Sequence, residues 1–172
     1  MKKTALIALL VTGFGLLQSK AQEETTIASG PGYKTALGIR LSSHGPVVNN
    51  AVTFKYFLSE RTAIEALFSF SDPVAIGGLL EFHKPITATD GLQWFYGAGA
   101  YIGFDSDKET ATRNLMGAQG IVGLDYKFQN LPLNLTLDWK PELNIIDDIN
   151  FEPAAIGFSI RFTFGSRKDL SE

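Results

Sequence analysis

The last alternating stretch of this 172-residue chain, Ala154 to Phe164 (AAIGFSIRFTF), limits its fold more than any other feature. Every second side chain in it is large and apolar, namely Ile156, Phe158, Ile160, Phe162 and Phe164. The residues between them are small or polar and include Arg161. This period of two is that of a β-strand with one apolar and one mixed face. In a soluble sandwich the apolar face points into a core, whereas in a small membrane barrel it points outward into lipid and Arg161 lies in the polar interior.

The N-terminal residues have the organisation of an export signal. Lys2 and Lys3 precede an apolar run over residues 5–17, and the small residues Ser19 and Ala21 suit a cut after Ala21. The apolar run is shorter than the roughly 20 residues that a membrane-spanning helix needs. The sequence therefore predicts a cleaved signal peptide over residues 1–21 and one mature domain over residues 22–172.

The composition argues against several classes of function. The predicted signal holds three of the 15 basic residues and none of the 18 acidic ones, so its removal changes the net charge from −3 to −6. An acidic exported chain without a basic run gives no reason to expect nucleic-acid binding. Because the chain has no cysteine, disulfide bonds, thiolate metal sites and lipid attachment at a cysteine are excluded.

Alternation of apolar and polar residues recurs along the whole mature chain and predicts eight strands. No apolar stretch of the mature chain approaches the length of a membrane helix, so a membrane-embedded form has to be a closed barrel. Long polar connections follow strands one, five and seven, and short turns follow strands two and six, as expected when both termini are periplasmic. We therefore predict an all-β fold, an eight-stranded antiparallel up-and-down transmembrane β-barrel with its core over residues 33–164. The predicted strands cover residues 34–41, 51–58, 62–70, 74–84, 92–104, 114–128, 133–140 and 154–164.

The contents of the mixed face distinguish a membrane barrel from a soluble one. This face combines charged side chains with many glycines and with Phe57, Phe95 and Tyr101, which suits a narrow lumen filled by large side chains beside small ones. Lys55 and Glu65 are nearly equidistant from a turn, so they are expected to be cross-strand neighbours. The predicted interior salt-bridge network contains Arg40, Lys55, Glu65, Glu81, Asp125, Lys127, Asp138 and Arg161, with Arg40 and Asp138 nearer the long loops.

Two alternatives to a closed membrane barrel remain open at this point. In a soluble periplasmic barrel that binds lipid, as lipocalins do, the charged face would meet water and the lumen would hold a ligand. In a small or gated porin-like channel, the interior ion pairs would rearrange to let ions pass. Aromatic residues favour the membrane, because they gather at both ends of the predicted strands, where girdles are expected. They are Tyr56, Phe82, Trp94, Tyr126, Phe128, Phe162 and Phe164 at one end and Phe70, Phe104 and Trp139 at the other.

The signal, the eight strands and the terminal FSIRFTF together resemble the small outer-membrane barrels of Gram-negative bacteria, such as OmpX and the membrane domain of OmpA. The segments QSKAQ and DWKPELN look like those of Bacteroidetes members. The resemblance implies a monomer in the outer membrane, in contact with lipid and lipopolysaccharide and delivered by periplasmic chaperones. It also implies that the barrel-assembly machinery reads the aromatic residues of the last strand, here Phe158, Phe162 and Phe164.

Catalytic and metal sites have weaker support in the sequence. His44 beside Ser42 and Ser43 is a conceivable activated hydroxyl, as in lipid A palmitoyltransferases, but such residues are also ordinary turn formers. The connections after predicted strands five and seven offer carboxylate ligands for Ca²⁺ without the spacing of a defined motif, namely Asp105, Asp107, Asp147, Asp148 and Glu152. We therefore expect no enzyme activity, no cofactor and no metal, and we assign His83 to the interior network. The predicted function is structural, protective or adhesive, performed by the outer loops.

Overall fold

The structure, a computed structural model, describes residues 32–43, 47–71, 73–105, 113–146, 149–153 and 155–166. The predicted signal peptide lies outside these residues. The described part of the chain forms ten β-strands: β1 (Tyr33–Ser42), β2 (Ala51–Phe57), β3 (Thr62–Ser69), β4 (Val74–Pro85), β5 (Leu92–Asp105), β6 (Arg113–Lys127), β7 (Leu133–Trp139), β8 (Glu142–Asn144), β9 (Asn150–Glu152) and β10 (Ile156–Ser166). Within these ranges no helix is long and apolar enough to cross a bilayer.

Eight of these strands close into a barrel. Strands β1 to β7 pair with their sequence neighbours, and β10 pairs with both β7 and β1, always antiparallel. Each barrel strand therefore has a partner on both sides, which leaves the closed sheet without an edge. The predicted eight-stranded antiparallel barrel is confirmed.

The register of the strands sets the tilt of the barrel. Asp125 on β6 pairs directly with Gln93 on β5. The paired residues can also be followed from Asp125 around the other side of the barrel, through β7, β10, β1, β2, β3 and β4. This path ends at Gly103 on β5, ten residues beyond Gln93, so the shear of the barrel is ten residues. A shear of this size in eight strands corresponds to a tilt of about 40°, and such a lumen is just wide enough for side chains to fill it.

The connection between β7 and β10 differs from the prediction. The sequence predicts a long connection without a strand over residues 141–153, but this segment contains the short hairpin β8–β9. Strand β8 pairs with β6, as β7 does, so it continues β7 beyond an interruption at Pro141. Proline has no N–H to donate to a ladder, which explains the interruption. The part of this connection that lies outside the ladders is therefore shorter than predicted.

The two ends of the barrel have different connections. The end with the connections over residues 58–61, 86–91 and 128–132 is called the turn end here. The opposite end, with hairpin β8–β9 and the described residues 43 and 47–50 of the connection between β1 and β2, is the loop end, and these described residues are called loop 1. Between them, large apolar side chains point outward along every barrel strand. Examples from five strands are Ile39 on β1, Phe54 on β2, Ile76 on β4, Leu124 on β6 and Phe158 on β10.

Candidate functional site: the filled interior of the barrel

Five charged side chains meet in the turn-end half of the lumen, and we call them the charged cluster: Lys55, Glu65, Glu81, Asp125 and Arg161. Each is at most 2 % exposed. Lys55 lies at the centre, with its Nζ 2.8 Å from Glu81, 3.5 Å from Glu65 and 3.6 Å from Asp125. Lys55 and Glu65 are directly paired on β2 and β3. A buried ammonium group surrounded by carboxylates is compensated by opposite charge from three strands.

Arg161 contributes the second cation of the cluster. Its guanidinium forms an ion pair with Glu65. It also donates to Thr53 Oγ1 (3.0 Å), Thr136 Oγ1 (2.5 Å) and Asn134 Oδ1 (3.3 Å). The planar guanidinium carries five N–H donors in fixed directions, so one residue can tie β10 to several strands across the lumen.

Asp125 is the carboxylate on the β6 side of the cluster. Asn134 donates to its Oδ1 (2.6 Å), and Thr136 donates to its Oδ2 (3.4 Å). The hydroxyl of Tyr33 reaches the same Oδ2 at 3.5 Å. The neutral polar groups of β1 and β7 therefore complete the hydrogen bonding of a carboxylate that lies out of water.

Aromatic rings line the cluster toward the turn end. Phe57 packs edge-on against Tyr33 and His83, and His83 stacks on Phe95 with ring centroids 5.0 Å apart. His83 Nε2 lies 2.9 Å from Glu81 Oε2, so the histidine joins the polar contacts as well. Lys55 Nζ lies 4.6 Å from the centroid of the Phe95 ring, which adds a cation–π contact.

Arg40 and Asp138 form a separate ion pair nearer the loop end. Arg40 Nη2 lies 2.5 Å from Asp138 Oδ1, and both side chains are 1 % exposed. Arg40 also donates to Ser42. A side chain at Gly157 would collide with the guanidinium, since its Cβ would lie 2.1 Å from Arg40 Nη2. Glycine at this point of β10 leaves the space that the arginine fills.

An apolar compartment, which we call the apolar chamber, lies in the loop-end half of the lumen. Two residues of loop 1 fill it, because Val48 is fully buried there and Val47 packs against the same cluster. The backbone N–H of Val47 donates to Glu142 Oε2 (2.8 Å), and Lys140 forms an ion pair with the same carboxylate. The other buried members of the chamber are Ala51, Leu67, Ala75, Leu79, Tyr101 and Ile121, and Phe95 packs against them from the level of the charged cluster.

Lys127 corrects the predicted interior network. Its Nζ does not enter the charged cluster but donates to the backbone carbonyls of Phe128 and Leu131, the latter at 2.7 Å. Strand β6 ends at Lys127, so its long side chain reaches the carbonyl groups of the following turn. The other seven predicted residues lie in the lumen, five in the charged cluster and two in the Arg40–Asp138 pair.

Several residues of the site have no place in the sequence-based network. Tyr33, Thr53, Asn134 and Thr136 complete it, and the last three follow the same period-two alternation as the charged residues. The filling of the lumen by Val47 and Val48 has no counterpart in any sequence pattern.

The structure says less about the predicted assembly signal, the candidate catalytic histidine and the candidate Ca²⁺ ligands. Phe158, Phe162 and Phe164 lie on the outward face of β10. His44, a candidate catalytic residue, lies outside the described residues. Most of the loop carboxylates considered for Ca²⁺ do so too. Among the residues that are described, no group of three or more His, Asp or Glu is arranged to hold a metal ion.

The fold is similar to that of known bacterial barrels. The N-terminal β-barrel domain of Pseudomonas aeruginosa OprF superimposes with a TM-score of 0.58 and 11 % sequence identity, over 80 % of this chain and all of that domain. Neisserial surface protein A matches with a TM-score of 0.43 and 12 % identity, over 76 % of this chain and 94 % of that one. No protein-family model matches the chain, and no curated protein does either.

Proposed function

We propose that this chain is an integral outer-membrane β-barrel protein without enzyme activity. In this proposal the charged cluster and the filled chamber close its lumen. The turn end faces the periplasm, and the loop end faces outward. Loop 1, the connection over residues 106–112 and hairpin β8–β9 would then act as contact surfaces in a structural, protective or adhesive role.

The observation that carries the proposal is the distribution of side chains between the two faces of the barrel. Large apolar residues face outward on every barrel strand, whereas Arg40, Lys55, Glu81 and Arg161 are buried inside. A soluble lipid-binding barrel needs the opposite arrangement. Monomeric soluble proteins rarely expose contiguous apolar patches larger than a few hundred Å². An apolar belt around the whole barrel is suited to a bilayer, where burial of apolar area contributes roughly 25 cal/mol per Å².

The aromatic residues at the turn end support the same environment. Trp94 and Tyr96 stack on the outer surface, and Lys84 Nζ lies 5.4 Å from the centroid of the Trp94 ring. Lys34 takes a similar position 5.7 Å from the centroid of Tyr56. Aromatic rings with lysines above them suit a membrane interface, where the ring lies at the headgroup level and the ammonium group reaches water.

The partners of the protein follow from this location. We propose contacts with outer-membrane lipid and lipopolysaccharide along the outward face, delivery by periplasmic chaperones, and insertion as a monomer by the barrel-assembly machinery. Phe158, Phe162 and Phe164 on β10 are the residues that we assign to the assembly signal. We assign the chain to the Bacteroidetes type of small barrel on its QSKAQ and DWKPELN segments.

The experiment that tests this function compares the electrophoretic mobility of boiled and unboiled protein from an outer-membrane fraction. A folded membrane barrel resists SDS, so we expect the unboiled protein to migrate differently from the boiled one and to remain in the membrane fraction after urea extraction. Recovery of the protein from the soluble periplasm, with the same mobility before and after boiling, would overturn the proposal.

A further inference from the structure

Two side chains of loop 1, Val47 and Val48, pack inside the barrel. Val48 is completely buried, and it packs in one cluster with Leu67, Leu79 and Phe95, which belong to three different strands. We propose that the apolar chamber is a binding site for an uncharged hydrocarbon group that enters from the loop end. Val47 and Val48 are the built-in occupants that such a group displaces.

The walls of the chamber are shaped around these two valines. A Cβ atom at Gly103 would lie 2.7 Å from Val47 Cγ1. A Cβ atom at Gly77 would lie 3.3 Å from Val48 Cγ2 and 2.9 Å from the amide nitrogen of Gln119. Two glycines on adjacent strands thus leave room for two methyl groups. The room for the valine methyl groups is created by the glycines of β4 and β5, so it is a feature of the barrel wall and remains when loop 1 moves away.

The chemistry of the wall selects an uncharged occupant. Three polar side chains of the wall, Gln119, Lys140 and Glu142, are paired with each other or with backbone groups. The amide nitrogen of Gln119 donates to the carbonyls of Gly78 and Ala100, both at 3.2 Å, and its Oε1 accepts from Lys140 at 3.2 Å. Lys140 in turn pairs with Glu142. A charged ligand would find no free partner among these groups and would have to lose its water, whereas an apolar group replaces the valines without that penalty.

Glu142 holds loop 1 in place. Its Oε2 accepts the Val47 N–H at 2.8 Å, while Lys140 fixes the orientation of its carboxylate. Because Glu142 stands on β8, hairpin β8–β9 and loop 1 are joined across the mouth by this one side chain. A hydrogen bond to a charged group contributes at least about tenfold to an equilibrium constant, so its loss shifts loop 1 toward the open form.

The chamber is closed at its far side by the charged cluster. Glu65 of the cluster pairs across the strands with Leu79 of the chamber wall, and Lys55 pairs with Glu65, so the cluster directly borders the chamber. A group that enters from the loop end therefore reaches a closed site and not a passage. This part of the inference rests on the closed lumen in the proposed function.

Access to the chamber is tested with a single thiol, since the natural chain has no cysteine. Leu67→Cys is placed in the chamber, and Ala63→Cys, buried between Tyr33 and Phe57 at the turn end, is the control. Each is made alone and with Glu142→Gln, and the folded protein in lipid vesicles is treated with methyl methanethiosulfonate. We expect Leu67→Cys to react slowly in the natural background and at least about tenfold faster with Glu142→Gln. Ala63→Cys should stay unreactive in both.

A second variant distinguishes movement of loop 1 from a purely local effect of the Glu142→Gln substitution. Gly103→Ala pushes against Val47 from the wall and leaves Glu142 intact, so it should raise the reactivity of Leu67→Cys as well. Each variant is first shown to be folded by the difference in mobility before and after boiling. Equal reactivity of Leu67→Cys in all three backgrounds would overturn the inference.

The ligand class is tested by protection of Leu67→Cys in the Glu142→Gln background. We expect 1-hexanol to slow the modification at least about threefold and hexanoate, of equal length but charged, to leave it unchanged. Equal protection by both compounds, or by neither, would contradict the ligand class. The hydrocarbon group can belong to a free solute or to the acyl chain of a lipid, and lysophosphatidylcholine distinguishes these two sources. Protection by 1-hexanol but not by lysophosphatidylcholine assigns a free solute. Protection by 1-hexanol and by lysophosphatidylcholine assigns an acyl chain.

Failure of the closed lumen gives a different result from failure of the chamber. An open lumen would make Ala63→Cys react as fast as Leu67→Cys and would give steady ion conductance. That outcome would overturn the proposed function along with the inference. A Leu67→Cys that stays unreactive with Glu142→Gln and with Gly103→Ala, in a non-conducting barrel, would overturn the chamber alone.

Discussion

The two halves of the lumen are filled in different ways. In the turn-end half, the charged cluster is built from side chains of the barrel strands themselves, with Lys55 on β2, Glu65 on β3 and Arg161 on β10. In the loop-end half, the chamber walls and the Arg40–Asp138 pair also belong to strands, but Val47 and Val48 come from a loop. The first filling cannot leave without opening the barrel ladders, whereas the second is held by a few contacts at the mouth. One barrel therefore combines a fixed closure with a removable one.

This difference has an energetic basis. Each charged group of the cluster has lost its hydration, and its charge is compensated by the opposite charges of the other members, so removal of one member leaves a buried charge with less compensation. The valines of loop 1 contribute apolar contacts and one hydrogen bond, and loops commonly open with free energies well below that of global unfolding. The contrast leads to three predictions of decreasing size.

The largest effect is expected from Arg161→Met. The substitution leaves Glu65 buried with one cation fewer and removes the donor to Thr53, Thr136 and Asn134. The free energy of unfolding should fall by about 3–5 kcal/mol. Urea unfolding in lipid vesicles, followed by tryptophan fluorescence, measures it. The double variant Arg161→Met/Glu65→Leu is the control and should recover most of the loss, because replacement of a whole buried pair by apolar groups is often close to neutral. A decrease of less than about 1 kcal/mol in the free energy of unfolding of the single variant would contradict this prediction, because it would mean that Arg161 contributes no more than an exposed ion pair does.

An effect of intermediate size is expected on the opposite face of the same strand. Phe158 points outward on β10, where Arg161 points inward. Phe158→Arg should destabilise insertion by about 2–4 kcal/mol near the middle of the bilayer. The fraction of protein that shows the folded mobility after refolding into vesicles measures this cost. Phe158→Leu, which keeps the apolar character, is the matched control and should insert normally. Equal insertion of both variants would mean that this face does not meet lipid.

The smallest effect is expected from Val48→Ala in the removable closure. The substitution removes two methyl groups from the chamber, but loop 1 can rearrange around the loss without any change in the barrel ladders. The global free energy of unfolding should fall by less than about 1.5 kcal/mol, at the low end for large-to-small substitutions in a core.

In the natural protein, the amide hydrogen of Val47 should exchange with solvent far faster than that of Arg161 in the ladder. Similar exchange rates for the two amides would remove the distinction between the two halves.

The same contrast explains which parts of the site the sequence predicts. Period-two alternation assigns each strand residue to a face, and the closed ladder then brings inward residues of different strands together. Lys55, Glu65 and Arg161 belong to this class, and so do the unpredicted Thr53 and Thr136, which the alternation places on the inward face without naming their role. The pairing of Arg40 with Asp138 also depends on the shear of the strands, which no single strand encodes.

The sequence is less informative where the chain leaves the ladders. Lys127 follows the alternation of β6, but it stands at the last residue of the strand, where a long side chain can turn to the carbonyls of Phe128 and Leu131. Val47 and Val48 lie in a segment with a Gly-Pro break, and their burial depends on contacts with strands far away in sequence. Hairpin β8–β9 cannot be recognised from the sequence pattern, because Pro141 and Pro153 interrupt the alternation of apolar and polar residues. Strand pairing nevertheless resumes beyond each proline.

The central claim is that side chains of the strands close the barrel at the charged cluster. Conductance of the natural protein across a planar lipid bilayer tests it most directly. With Lys55, Glu81, Asp125 and Arg161 paired across a lumen just wide enough for its side chains, we expect no steady single-channel current. A steady current through the natural protein, with the folded mobility confirmed for the same preparation, would contradict the account.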